Sequence, residues 1–341
     1  MKCVFDDRQT AHAPSRFLVS GAWQPCPEMP DRAEIFAKTV RDLDYPVIAP
    51  PDTGRGAIEA AHSDRYIDFL ETIHRRWQRI DGAAEEAIPN VHPVSRDGEA
   101  PGGYPKSAVG QVGYHVYDGS APIGANTFDS AYWSAQTAIH ASDLVLGGES
   151  SAYALSRPPG HHASRELAGG FCFFNNSAIA AEKLRAAHKR VAILDVDVHH
   201  GNGTQQIFYS RSDVLTVSIH AHPERFYPFF WGYADETGSG EGKGYNFNLP
   251  LERGRGDKDF LEALSAALLR VRQFEPGALV LALGLDAHES DPFKGLALST
   301  GAFHRVAQQV SALDLPTVIV QEGGYANPAL GENLASFLTG F

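Results

Sequence analysis

The stretch Val191-Ala-Ile-Leu-Asp195-Val-Asp197-Val-His199-His200-Gly-Asn202-Gly203 decides how the rest of the chain is read. Four consecutive apolar residues, two of them β-branched, read as a buried parallel strand over residues 191–198. Yet two carboxylates and an imidazole appear as the run ends. A buried carboxylate is costly unless it is paired or bound to a cation. Asp197 and His199, two apart on a strand, point to the same side, and a divalent ion would satisfy both. The competing reading is that Asp195 and Asp197 cap the following turn, with His199 and His200 as partly buried surface residues, because so short a motif recurs by chance.

Working outward, strands and helices alternate. Residues 2–5 read as a strand. Segments 32–43 and 65–80 carry apolar residues at helical spacing, the second through Tyr66, Phe69, Leu70, Ile73 and Trp77. From Thr127, a residue able to cap, a helix runs to Leu146 and stops at Gly147-Gly148. Then follow a strand over 152–155, a helix over 177–188 and a strand over 214–220. A helix over 257–274, a strand over 278–286, a helix over 302–313 and a strand over 317–321 complete the series. This order predicts a single α/β domain spanning 1–341, with a mainly parallel sheet flanked by helices on both faces. Residues 88–126 break the pattern: prolines and glycines there exclude regular elements, while Tyr104, Tyr114 and Tyr117 point to an ordered loop packing on something.

Composition narrows the partners. A formal net charge of −12 argues against nucleic acid and anionic membranes and suits a cationic small substrate better. Cys3, Cys26 and Cys172 are odd in number and scattered, as expected of reduced thiols in a cytoplasm. The N-terminal residues are too poor in apolar side chains for a signal peptide, and no segment approaches a membrane span.

Polar residues recur after the predicted strands: Arg157-Pro-Pro-Gly-His161-His162, the Asp-x-His, Ser218-Ile-His220, Gly284-Leu-Asp286 and Glu322-Gly-Gly-Tyr325. Ligands of open parallel sheets bind beyond the carboxyl ends of strands, so these five loops are expected to converge. Asp197, His199 and Asp286 offer mixed oxygen and nitrogen ligation with positions left open, which suits a catalytic zinc ion that polarises a carbonyl and activates water; iron is the alternative the same ligands accept. Asp195 and Asn202 can accept hydrogen bonds from nearby imidazoles and fix their tautomers. Of His161 and His162, one would deprotonate water and one would protonate the leaving nitrogen, against the plain reading of adjacent surface histidines. Tyr325, after two glycines, would donate its hydroxyl to a developing oxyanion, against the reading of a core tyrosine.

On these motifs, together with Gly170-Phe-Cys-Phe-Phe-Asn-Asn176 and Asp291-Pro292, the chain resembles the zinc-dependent histone deacetylase superfamily, and within it the bacterial acetylpolyamine amidohydrolases. The resemblance implies the arginase-deacetylase fold, one zinc on Asp197, His199 and Asp286, His162 as general base and acid, His161 as its electrostatic partner and Tyr325 as oxyanion donor. Asn202, where many members carry Asp, resembles the class II branch. Gly170, Phe171 and Tyr227 would then wall a substrate tunnel. The resemblance also implies structural monovalent cations, K+ or Na+: one at Asp195, Ser218 and main-chain oxygens of Asp197, His199 and Ile219, another near Phe208, Arg211, Val214 and Tyr245. It implies a small acetylated amine as substrate, and a homodimer or higher homo-oligomer in which the 88–126 loop supplies contact and tunnel rim. Val109 stands where an acidic residue for the distal ammonium is expected, with Asp118 its nearest replacement. A deacetylase of acetyl-lysine peptides, or an enzyme for another small amide, therefore stays open. A two-manganese ureohydrolase would need a carboxylate where His288 stands, and a catalytically silent acyl-binding module would not need His161, His162 and Tyr325 together.

Overall fold

The computed structural model describes residues 1–96 and 102–341; of the 88–126 segment, residues 97–101, Pro101 among them, lie outside the described residues. In chain order the elements of the first half are β1 (Lys2–Val4), the hairpin β2 (Arg16–Val19) and β3 (Ala22–Pro25), α1 (Asp31–Asp42), β4 (Val47–Ile48), α2 (Gly56–Ala61), α3 (Asp64–Trp77), α4 (Ala108–His115), α5 (Thr127–Leu146) and β5 (Ser151–Ala154). The second half carries α6 (Asn176–Arg185), β6 (Val191–Asp195), α7 (Asn202–Phe208), β7 (Val214–Ala221), β8 (Asn246–Leu251), α8 (Asp257–Phe274), β9 (Ala278–Leu283), α9 (Thr300–Ser311), β10 (Thr317–Gln321) and α10 (Leu330–Gly340).

Eight strands form one sheet in the order β4-β1-β5-β10-β9-β6-β7-β8, every pair parallel. The period of two divides its side chains between two cores. Ala192, Leu194, Leu279, Leu281 and Ile319 face the layer of α1, α8, α9 and α10. Val191, Ile193, Val280, Val318 and Val320 face the layer of α3, α5 and α6. Both faces are covered, which is why these strands read as unbroken apolar runs.

Several expectations need correction. The strand predicted over 191–198 ends at Asp195, and the one predicted over 278–286 ends at Leu283. Asp197 and His199 thus lie on a bend, where strand alternation does not set their direction. The bend is closed by side chains: Asp195 Oδ1 accepts from the Asp197 amide (3.0 Å) and Asp197 Oδ1 from the His199 amide (2.9 Å). The 88–126 segment is not free of regular structure, because α4 lies within it, capped by Ser107, whose hydroxyl accepts from the Gly110 amide. Thr127 does not cap α5. It is the first helical residue, and its hydroxyl accepts from the Gly124 amide at 2.8 Å. The sequence pattern also passed over β8, the β2–β3 hairpin and α10, whose short or mixed runs carry weak periodicity. No helix among the described residues is long and apolar enough to cross a membrane.

Candidate active site

The loops that follow β5, β6, β9 and β10 meet at the carboxyl edge of the sheet. Asp197, His199 and Asp286 bring one ligand atom each within 4.8 Å of one another, all buried, and theirs is the one such group of three among the described residues. Each carboxylate has its second oxygen tied to backbone: Asp197 Oδ2 accepts from Gly323 (2.7 Å) and Asp286 Oδ1 from Val198 (3.0 Å). His199 Nδ1 lies 3.2 Å from both Asp197 Oδ1 and Asp286 Oδ2. Asp286 Oδ2 nevertheless makes no hydrogen bond, an orphaned buried carboxylate oxygen. The glycines leave this room: a Cβ on Gly323 would strike Asp286 Oδ2, and one on Gly284 would strike Asp197. Burial and the neighbouring Asp197 raise the Asp286 carboxyl. Burial opposes ionisation of His199 too, but the carboxylates of Asp197 and Asp286 push it up to about 9. Two buried carboxylates held this close call for a cation between them.

His161 and His162 stand beside this group, ring centroids 4.1 Å apart, with opposite partners. His161 Nδ1 lies 2.9 Å from Asp195 Oδ2; His162 Nδ1 lies 2.7 Å from Asn202 Oδ1. Burial disfavours charge on both, but the Asp195 and Asp197 carboxylates push His161 up to about 10. For His162 the Asn202 hydrogen bond and the Asp197 carboxylate are outweighed, and burial with the neighbouring His161 and His199 holds it well below the usual imidazole range. Glu322 is not aimed at the metal-ligand group. Its Oε2 accepts from the amides of Gly160 (2.7 Å) and His161 (3.0 Å), and its Oε1 from Ser177, bracing the β10 loop against the β5 loop.

Tyr325 is buried among Phe171 and Phe293 and borders a cavity of about 720 Å³ that also reaches His162, His199, Gly170, Phe171 and Tyr227. Its backbone is held by Asp291, whose Oδ2 accepts from the Tyr325 amide at 3.1 Å. Arg32 donates to the carbonyls of Glu322 (2.6 Å) and Gly324 (2.5 Å), and its guanidinium lies 4.7 Å from the Tyr325 ring centre. Arg32 in turn shares the buried Glu28 carboxylate with Arg157. Gly170 adopts φ +53°, and a Cβ there would meet the His162 ring at 2.5 Å and the Tyr227 hydroxyl at 2.8 Å.

Val109, half-buried, packs against the core around α3 and α5, and Asp118 borders the cavity instead. Asp118 accepts from the Tyr227 hydroxyl at 2.6 Å. Ser218 pairs in register with Asp195, but its hydroxyl lies 2.8 Å from His220 Nδ1. Ile219 follows it on β7, whereas Phe208, Arg211, Val214 and Tyr245 gather at the opposite, amino end of that strand. His288 stands apart from the ligand group, its Nδ1 accepting from the Ser290 amide. Sequence reasoning missed Phe226, which stacks on His199 at 4.9 Å and 16°, Phe293, 5.3 Å from His199, and the buried Glu28 and Arg32. The aromatic-dense run Arg225-Phe-Tyr-Pro-Phe-Phe-Trp231, with neither strand nor helix period, was the available signal for the first.

Residues 26–341 match the histone deacetylase domain family. The whole chain aligns at 45% identity with the acetylpolyamine amidohydrolase of Burkholderia pseudomallei (strain 1710b), covering 98% of that protein. It aligns at 42% with acetylpolyamine amidohydrolase 1 of Pseudomonas aeruginosa PAO1, covering 99%. A crystal structure of the B. pseudomallei acetylpolyamine aminohydrolase superposes at a TM-score of 0.95, with 45% identity, over 100% of this chain and 98% of that one.

Proposed function

We propose that this chain, which belongs to the histone deacetylase family, hydrolyses the acetyl amide of small acetylated amines, acetylpolyamines first among them. It is a deacetylase, a hydrolase of amide bonds. The observation that carries the finer reading is the orphaned Asp286 Oδ2 in a buried Asp–His–Asp group, set beside a neutral imidazole at the base of a cavity.

That donor set fits one zinc-class divalent ion, held by Asp197, His199 and Asp286. When bound, such an ion supplies a Lewis acid for the substrate carbonyl and acidifies the attacking water. The chain's own residues do the rest. His162, neutral because it is buried beside other imidazoles, takes the water's proton on Nε2 while its Nδ1–H is held by Asn202, and later returns the proton to the leaving nitrogen. His161, kept cationic by Asp195, stabilises negative charge as it develops. The Tyr325 hydroxyl donates to the former carbonyl oxygen. Phe171 and Tyr227 exclude water and confine a slender acyl-amine arm, and Asp118 is the one carboxylate among the described residues bordering the cavity, available to a distal ammonium.

The same reading places a structural K+ or Na+ beside Asp195 and Ser218 and another near Phe208, Arg211, Val214 and Tyr245. It also gives the protein a homo-oligomeric state built on the 88–126 loop. Thermal midpoints in potassium against choline chloride test the first, and sedimentation velocity the second. Steady-state kinetics on acetylputrescine, acetylcadaverine, acetylspermidine and an acetyl-lysine peptide, with elemental analysis of the isolated protein, test the whole. We expect one zinc or iron per chain and the highest kcat/KM on a small acetylated amine. A higher value on the peptide overturns the substrate class, and two manganese ions with urea release from a guanidino substrate overturn the chemistry.

A further inference from the structure

Asn202 differs from a carboxylate in one respect that matters to His162: its two ends are not interchangeable, since Oδ1 accepts and Nδ2 only donates. With Oδ1 toward His162 Nδ1, the imidazole carries its proton on Nδ1 and presents a bare Nε2 to the cavity. With the amide turned over, Nδ2 would face Nδ1, the proton would sit on Nε2, and the ring could not accept a proton from water. Something must choose between the two orientations. Water would not, because it donates and accepts equally well, and Asn202 borders a second cavity of about 610 Å³ that water can enter.

The choice is written in a directed chain of hydrogen bonds. Asn202 Nδ2 meets the Tyr117 hydroxyl at 3.4 Å, that hydroxyl lies 2.8 Å from the Tyr227 hydroxyl, and Tyr227 donates to Asp118 Oδ2 at 2.6 Å. Asp118 also accepts from the amides of Ser120 (2.9 Å to Oδ1) and Gly170 (3.1 Å to Oδ2), groups that can only donate, so the carboxylate acts as the acceptor that ends the chain. Tyr227, having given its hydrogen to Asp118, accepts from Tyr117. Tyr117, having given its hydrogen to Tyr227, can only accept from Asn202. The competing acceptor for Tyr117, the His162 carbonyl, lies farther away at 3.5 Å. We propose that Tyr117 is a positioning residue which, through Tyr227 and Asp118, fixes the amide orientation of Asn202 and thereby the base-competent tautomer of His162. This rests on His162 as the proton acceptor of the proposed reaction.

The test is a pair of comparisons. Tyr117→Phe in the native background should lower kcat about tenfold, as loss of an outer hydrogen-bond partner typically does, while KM on acetylputrescine changes less than about twofold. In an Asn202→Asp background both ends of the side chain accept, orientation no longer matters, and the same substitution should cost less than about twofold. Tyr227→Phe, which deprives Tyr117 of its acceptor, should likewise leave His162 a mixture of its two tautomers. Independently of turnover, ¹⁵N spectra of the metal-free protein, with His162 assigned by its absence in His162→Gln, should show the Nδ1–H tautomer predominating in the native chain and a mixture in Tyr117→Phe. Equal losses in both backgrounds, or an unchanged tautomer, overturn the proposal. If the native enzyme turns over none of the acetylated amines, the proposed function falls, and the spectra alone decide whether the chain orients Asn202.

Discussion

The floor of the cavity and its mouth are built on opposite principles. At the floor, Asp197, Asp286, His161 and His162 are all but inaccessible, and each has one side-chain polar atom committed to a partner in another loop. At the mouth, Phe229, Phe230 and Trp231 are 49%, 75% and 42% exposed, and Leu18 of the β2–β3 hairpin, which lines the same cavity, is 38% exposed. The floor binds chemistry by fixing donors and acceptors before substrate arrives. The mouth offers apolar surface to whatever covers it, a substrate arm or a second copy of the chain. Substitutions at the floor should therefore cost activity steeply, and those at the mouth should change selectivity or assembly at little cost to folding.

The largest effect is expected from Asp286→Ala. It leaves Asp197 and His199 as an incomplete set, so elemental analysis should find the metal lost, and activity should fall by more than the roughly 10–100-fold that losing an outer partner costs. Retention of metal with near-native turnover would break the contrast at its foundation. Next is Tyr325→Phe, which removes one oxygen: kcat should fall about 10²–10³-fold with metal retained and KM little changed. If turnover survives while the melting temperature drops, that hydroxyl belongs to the packing and not to the reaction.

A smaller effect concerns the neutral histidines beneath the floor. His62 Nε2 accepts from the Asn175 amide at 2.9 Å, and burial lowers the ring to about 3. A base depressed below its unfolded value is neutral in the folded chain, so the stability it contributes is fully present above about pH 6.5. That stability is lost as pH falls toward 3, at about 1.4 kcal/mol per unit. Urea unfolding of the native chain and His62→Gln between pH 7.5 and 5 should differ by that slope; parallel curves would mean the ring is not held neutral. The smallest expected effect is Phe230→Ala at the mouth: stability within about 0.5 kcal/mol of native, with altered selectivity between acetylputrescine and the peptide or a shift in sedimentation. A large loss of stability would show the mouth to be core after all.

The legible part of the molecule was its rhythm and its punctuation. β6, β9 and β10 are apolar runs because both faces of the sheet are covered, so their existence, and the polar residues crowding their ends, could be read from local pattern. α4 was hidden because its buried residues, Gln111 to His115, run consecutively and so show no helical period, among the prolines and glycines of an irregular segment. The hairpin was hidden because three of the four residues of β2 and all four of β3 are exposed and so carry no alternation.

By itself the sequence determined the fold class, four of the five loops expected at the carboxyl edge (Ser218-Ile-His220 lies within β7 instead), and the residue types gathered there, because periodicity and strand-end position are local properties of a chain. Only the tertiary structure decided directions. It turned Asp197 and His199 together on a bend where a strand had been expected, put Asp118 and not Val109 on the cavity, and gave His161 a carboxylate but His162 an amide. It also joined Glu28 and Arg32 to the Tyr325 loop across nearly the whole length of the chain. Such pairings lie between residues far apart in sequence, where one hydrogen bond or one close glycine selects among partners, and no local pattern encodes that choice.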